Sequence, residues 1–165
     1  VRTDLEKARR EADAVIVFVH WGTEESKETD AFQEKWAGIF LEGGADVVVG
    51  THPHVLQPYE LLEENGHQML VYYSIGNFIS AQPEKSCQKG GMAFFTMSPF
   101  KDGYHVTDYG LAPLTITWEK GKGYRTKYSE MPDQAVITVP ALPRSASETH
   151  SREVIRTLPD GLAVK

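Results

Sequence analysis

Three histidines stand where strand-like apolar runs end. His52 and His54 are two residues apart in Gly50-Thr51-His52-Pro53-His54, directly after Ala45-Asp46-Val47-Val48-Val49. In an extended segment, residues i and i+2 point to the same side. Pro53 fixes its own φ and biases His52 away from the helical region, which stiffens the pair. His20 closes a second run, Ala14-Val15-Ile16-Val17-Phe18-Val19. Two parallel strands side by side would bring the three rings to one sheet edge, where open α/β sheets hold their ligands. Neutral imidazole suits Zn, Mn, Fe, Co or Ni. Three protein nitrogens leave positions open for water or substrate. A water held there is acidified toward neutral pH and can attack a phosphoryl or acyl centre.

Other residues can serve such a centre. Glu24 lies four residues past His20, and Glu60 six past His54. Each can act as general base, as a partner orienting a histidine N–H, or as a contact to substrate, against the plainer reading of a solvated carboxylate. Asn77 follows Gly76 at a strand end, so its amide can reach the same edge or simply make a turn. Trp21 beside His20 is either core or the wall of a substrate pocket. His67, His105 and His150 read as surface residues. Ser74 and Cys87 have no activating neighbour in sequence, which argues against nucleophilic catalysis.

The elements that must position these side chains follow from periodicity. Thr3 and Glu6 have the spacing of a capping box, and Leu5, Ala8 and Ala12 mark a helix through Glu11. The run 14–19 predicts a strand buried on both faces. A second helix begins near Asp30, with Phe32, Trp36, Ile39 and Phe40 as its apolar face. Gly43-Gly44 ends it, and the strand 46–49 follows. This is a βαβ unit, which makes the two strands parallel. Asn65-Gly66 then predicts a type I′ hairpin between strands 59–63 and 68–73. Residues 74–78 form a loop, 81–90 an exposed loop, and 92–97 a strand. After a turn at 101–103, further strands are expected within 104–118 and over 124–128. Residues 1–131 form the domain. Residues 132–165 carry Pro132, Pro140 and Pro143 and read as a strap or partly ordered tail, with a short helix over 147–158.

Composition bounds the rest. The chain has 165 residues, 41% hydrophobic and 24% charged, which suits one soluble globular domain. Its net charge of -6 argues against nucleic acid as a partner and favours divalent cations. A single cysteine excludes an intramolecular disulfide framework. No apolar run reaches bilayer-spanning length. The opening Val1-Arg2 without Met reads as part of a longer protein.

Three motifs in this order resemble the CapA (PgsA-type) family of bacterial capsule and poly-γ-glutamate synthesis proteins. They are His20-Trp21-Gly22-x-Glu24, Gly50-Thr51-His52-Pro53-His54-Val55-x-Gln57-Pro58 and Tyr73-Ser74-Ile75-Gly76-Asn77-Phe78, spanning residues 13–80. The family is similar to the calcineurin-like metallophosphatases. The resemblance therefore implies the C-terminal half of a metallo-dependent-phosphatase-like α/β sandwich, a βαβ unit followed by antiparallel strands. It implies His20, His52 and His54 as ligands of a divalent metal (Mn, Zn or Fe), dinuclear in the full-length parent. It places Glu24 and Asn77 at motif positions, read here as catalytic, with Glu60 and Trp21 toward substrate. The superfamily's earlier ligands lie in an N-terminal half that does not precede Val1. The chain is accordingly expected to bind metal weakly, to lack full hydrolytic activity, and to show an exposed sheet edge or a self-association surface. Tight stoichiometric binding of two ions would contradict this.

Two functions fit. The parent is a metal-dependent hydrolase acting on a phosphoester or a γ-linked amide, or it is a membrane-anchored accessory that grips an anionic capsule polymer beside other capsule-synthesis membrane proteins. The resemblance places it on the extracellular face of the bacterial membrane. A cupin-like site is excluded by the βαβ order, since cupins are all-β.

Overall fold

A computed structural model describes residues 1–100 and 103–129 in full, together with the backbone of 153–155, 157–158 and 162–163. Helix α1 (Arg2–Glu11) leads into strand β1 (Ile16–His20), helix α2 (Ala31–Glu42) and strand β2 (Val47–Thr51). Strands β3 (Tyr59–Glu64) and β4 (His67–Tyr72) form the hairpin, with Asn65 at φ 51° and Gly66 at φ 80°, both in the left-handed region a type I′ turn requires. Strands β5 (Lys89–Phe100), β6 (Gly103–Glu119) and β7 (Gly123–Tyr128) complete a second, antiparallel sheet. Positions 101 and 102 of the expected turn lie outside the described residues.

The first sheet runs β1-β2-β4-β3 and then Glu153–Ile155. Strands β1 and β2 are parallel and in register from Ile16↔Val47 to His20↔Thr51, as the βαβ reading requires. Strand alternation divides this sheet's side chains between two cores. Val15, Val48, Met69, Val71 and Tyr73 pack with Leu5, Ala37, Phe40 and Leu41 of the helices. Val47, Val49, Leu70 and Tyr72 pack with Val106, Tyr109 and Leu111 of the second sheet. The result is three layers, helices on one side of a mixed sheet and an antiparallel sheet on the other. Among the described residues, no helix is long and apolar enough to cross a membrane.

Several expectations are corrected. Strand β1 is an edge of its sheet among the described residues, with Ile16 44% and Phe18 78% exposed, because the second sheet stops short of it. Helix α1 has no capping box; Val1 is its N-cap and makes no side-chain cap bond. The capping box belongs to α2, where the Asp30 carboxylate accepts from the Gln33 N–H and the Gln33 side chain accepts from the Asp30 N–H. The buried face of α2 is Gln33, Ala37, Phe40 and Leu41, with Phe32 exposed. This is the predicted i, i+4, i+7, i+8 spacing turned by one residue, so that a polar Gln33 lies inside. Cys87 and Gly90 are buried within the loop expected to be exposed. Instead of belonging to a helix over 147–158, Glu153–Ile155 pairs antiparallel with Tyr59–Leu61, and Thr157–Leu158 is also strand. The strap with its three prolines lies outside the described residues.

Candidate metal centre

Parallel pairing sets His20 beside Thr51, at the common end of β1 and β2. From there the chain leaves the sheet, and the two other histidines are not extended. His52 has φ 104° and His54 φ 62°. Both are non-glycine residues in the left-handed region, a local strain that the surrounding structure must hold. The rings therefore converge through a tight turn around the buried Pro53 rather than through strand alternation. The His20 and His52 ring centroids are 4.5 Å apart, and those of His52 and His54 6.1 Å apart.

Glu24 joins them across the loop after β1. Its carboxylate and one ring nitrogen each of His52 and His54 lie within 4.8 Å of one another. The loop carrying Glu24 is tied to the His-Pro-His turn by the Glu25 N–H, which donates to the Pro53 carbonyl at 2.8 Å. His20 lies beside this triad, its ring tilted against that of His52, and is not part of the tight three-residue group.

Hydrogen bonding fixes which ring nitrogens face the centre. Both N–H bonds of the Asn77 amide are used, one on the Gln82 side-chain oxygen at 2.8 Å and one on the Cys87 carbonyl at 3.0 Å. Its oxygen then faces His54 Nδ1 at 2.9 Å. An amide oxygen only accepts, so His54 carries its proton on Nδ1 and presents a bare Nε2. His20 is held alike, more loosely. The Thr51 hydroxyl donates to the Val19 carbonyl, so at 3.4 Å it can only accept from His20 Nδ1. Asn77, expected as a catalytic residue, thus holds the His54 ring through its amide oxygen.

Two other expected site residues lie inside the fold. Trp21 is 3% exposed, stacks on Tyr73 with Phe40 tilted against it, and donates its indole N–H to the Tyr73 carbonyl at 2.8 Å. It is a core residue that locks the loop after β1 onto the end of β4, and it lines no substrate pocket. Glu60 is 3% exposed and accepts the Tyr73 hydroxyl at 2.6 Å. Alternation along β3 turns it, opposite Val71, toward the helix layer and away from solvent. Glu24 is exposed and stands with the histidines, as a candidate ligand. His67 and His105 bond to the Ala45 carbonyl and to Gln68, away from the centre; His150 lies outside the described residues. A second group, Glu25, Glu84 and Cys87, includes a buried thiol whose pKa burial pushes up.

Sequence reasoning missed Thr51, Gln33 and Gln57. The signals were available: Thr51 and Gln57 stand inside the quoted motif, and Gln33, three residues after Asp30, completes a capping box.

A mixed sheet with helices on one side, and with imidazoles and a carboxylate beyond the ends of two parallel strands, defines a mixed α/β protein whose candidate site lies where open α/β sheets place their ligands. Residues 1–82 match the family model described as bacterial capsule synthesis protein PGA_cap, and the chain belongs to that CapA-type capsule-synthesis family. It is 30% identical over 124 residues to the capsule biosynthesis protein CapA of Bacillus anthracis, covering 69% of this chain and 28% of the relative. To the PGA biosynthesis protein CapA of Bacillus subtilis (strain 168) it is 34% identical over 105 residues, covering 58% of this chain and 27% of that relative. The chain thus spans little more than a quarter of the curated relatives it matches.

Proposed function

We propose that this chain supplies one side of a divalent-metal centre in a CapA-type protein built on a metallophosphatase-like sandwich, used in making or exporting an anionic capsule polymer such as poly-γ-glutamate. The observation that carries the reading is the grouping of Glu24, His52 and His54 within 4.8 Å, with His54 held so that Nε2 faces out. Two imidazoles and a carboxylate form a donor set that fits Mn, Zn or Fe. Glu24, His52 and His54 would hold the first ion, and His20, beside His52, would face a second. An ion held there supplies a Lewis acid for a phosphoester or γ-linked amide, or a grip on polymer carboxylates.

The protein's own residues do the positioning. Asn77 and Thr51 set the histidine tautomers, and Glu24 offsets cation charge on a chain that is otherwise acidic. That acidity opposes direct contact with a polyanion, so polymer binding depends on the metal or on a basic partner surface. The names of the curated relatives support a capsule role over a phosphoesterase acting on another substrate. The parent would work on the extracellular face of the membrane with other capsule-synthesis membrane proteins.

Titration calorimetry with Mn or Zn tests the centre. Binding by the chain and by His67→Ala, lost in His52→Ala, is the expected result; equal heats from all three would refute the reading. Turnover of a phosphoester or of poly-γ-glutamate by the parent, abolished by His52→Ala, would mark the role as catalytic. Metal-dependent polymer binding without turnover would mark it as accessory.

A further inference from the structure

Gln33 and Gln57 are buried, at 0% and 2% exposure, directly behind the candidate centre. Two primary amides are costly to remove from water, and each must find partners inside. Here they find each other. Gln33 Nε2 donates to Gln57 Oε1 at 2.7 Å, and Gln33 Oε1 accepts the Asp30 N–H at 3.1 Å. The Gln57 oxygen is thereby taken, which turns its Nε2 outward. Its two N–H bonds go to the Ser26 carbonyl at 3.0 Å and the Glu28 carbonyl at 2.9 Å. Gln57 is itself anchored, since its backbone N–H donates to the Ser74 carbonyl at 3.1 Å. The start of the same loop lies against Gln33: a Cβ added to Gly22 would fall 2.7 Å from its amide carbon.

Glu24 is exposed and, among the described residues, its side chain makes no hydrogen bond that would hold it in place. Beside the Glu25 N–H on the Pro53 carbonyl, the loop is held by the pair of carbonyls just beyond it that Gln57 engages. We infer that Gln57, oriented by Gln33, is a positioning residue for metal binding: it clamps residues 26–28 to the His-Pro-His turn and so sets the distance from the Glu24 carboxylate to His52 and His54. This inference rests on the metal-centre reading above, yet the clamp itself is testable without metal.

The experiment uses the full 165-residue chain and the variants Gln57→Met, Glu24→Gln, both together, and Gln33→Met. Gln57→Met keeps volume and removes both donors. Zn titration should show Gln57→Met weaker by roughly tenfold or more, the range found when groups supporting a ligand are removed. Because it acts through Glu24, the double variant should bind no worse than Glu24→Gln alone. In metal-free protein, amide exchange at Glu25 should speed up while β2 and β4 keep their protection. Should Gln57→Met fail to fold, Gln33→Met carries the same test, because it frees the Gln57 amide to turn.

Losses that add in the double variant would make Gln57 a general structural residue and overturn the inference. Unchanged affinity would overturn it as well. If the wild-type chain binds no metal, the metal-centre reading fails on its own. The clamp is then judged by Glu25 exchange: faster exchange supports it, and unchanged exchange ends it.

Discussion

Replacing Asn77 by Ala tests how a side chain that need not touch metal sets up one that does. The substitution deletes three hydrogen bonds, to His54 Nδ1, to Gln82 and to the Cys87 carbonyl. Gln82 is partly exposed and can turn to water. The Cys87 carbonyl, in a buried residue, loses a donor, and leaving such a group unsatisfied costs about 1–3 kcal/mol. Losing the histidine bond adds roughly 1 kcal/mol, so urea unfolding should show a net loss of about 2–4 kcal/mol. The second effect is on the ring. Without an acceptor at Nδ1, His54 is free to move its proton to Nε2, the atom needed for the metal. Long-range proton–nitrogen correlation at about pH 8.5, above the free imidazole range, should show the Nδ1–H form giving way to a mixture. Zn affinity should fall about 10- to 100-fold. Asn77→Asp keeps an acceptor for His54 while losing the donor to Cys87, so it should retain the tautomer with reduced stability. An unchanged tautomer and unchanged affinity in Asn77→Ala would refute the reasoning.

Three further outcomes follow from the packing. In Gly50→Ala the new Cβ would sit 2.0 Å from the Tyr73 carbonyl oxygen and 2.4 Å from the Trp21 indole nitrogen, so denaturant melts should show a loss of at least about 3 kcal/mol or no folding. Burial pushes the Tyr72 hydroxyl, shared between the Phe94 and Gly110 carbonyls, well above its usual 10.0, and raises Tyr59 too. The unfolded phenols ionise first, so stability is full below about pH 10 and falls as pH rises beyond it; denaturant midpoints across alkaline pH should decline, and less steeply in Tyr72→Phe. Cys87 is fully buried with its thiol pushed up by burial, so alkylation of the native chain at about pH 8 should track unfolding rather than thiol chemistry, and fast labelling of folded protein would contradict this placement.

Strand and helix order was legible because the signals are strong and local. Apolar runs gave β1 and β2, and Asn65-Gly66 gave the hairpin. The convergence of the histidines was legible for a partly wrong reason. Their spacing suggested extended backbone, but His52 and His54 adopt positive φ, which few non-glycine residues take, held there by contacts from the loop after β1 and from Asn77. Helix α2 was read one residue out because pattern reading treats glutamine as surface. Gln33 is interior only because Gln57 meets its amide, a fact of tertiary structure. Glu60 misled for the opposite reason. A carboxylate near a metal motif looks chemical, and only the partner strand shows that its oxygen answers a tyrosine inside the fold. For β1, composition spoke of an interior strand, while Phe18 stands in solvent.

The carbonyl that holds Asn77 belongs to Cys87, and Gly91 at the start of the second sheet donates to Ile75. His54 therefore takes its orientation from a part of the chain beyond residue 82, where the family match stops. A shortened protein cut at that boundary would keep Glu24 and all three imidazoles. It would lose the brace behind one of them and uncover Leu70 and Tyr72, which the second sheet shields. A unit that keeps these side chains as they are held here thus reaches at least into β6, well past the segment by which its kinship is recognised.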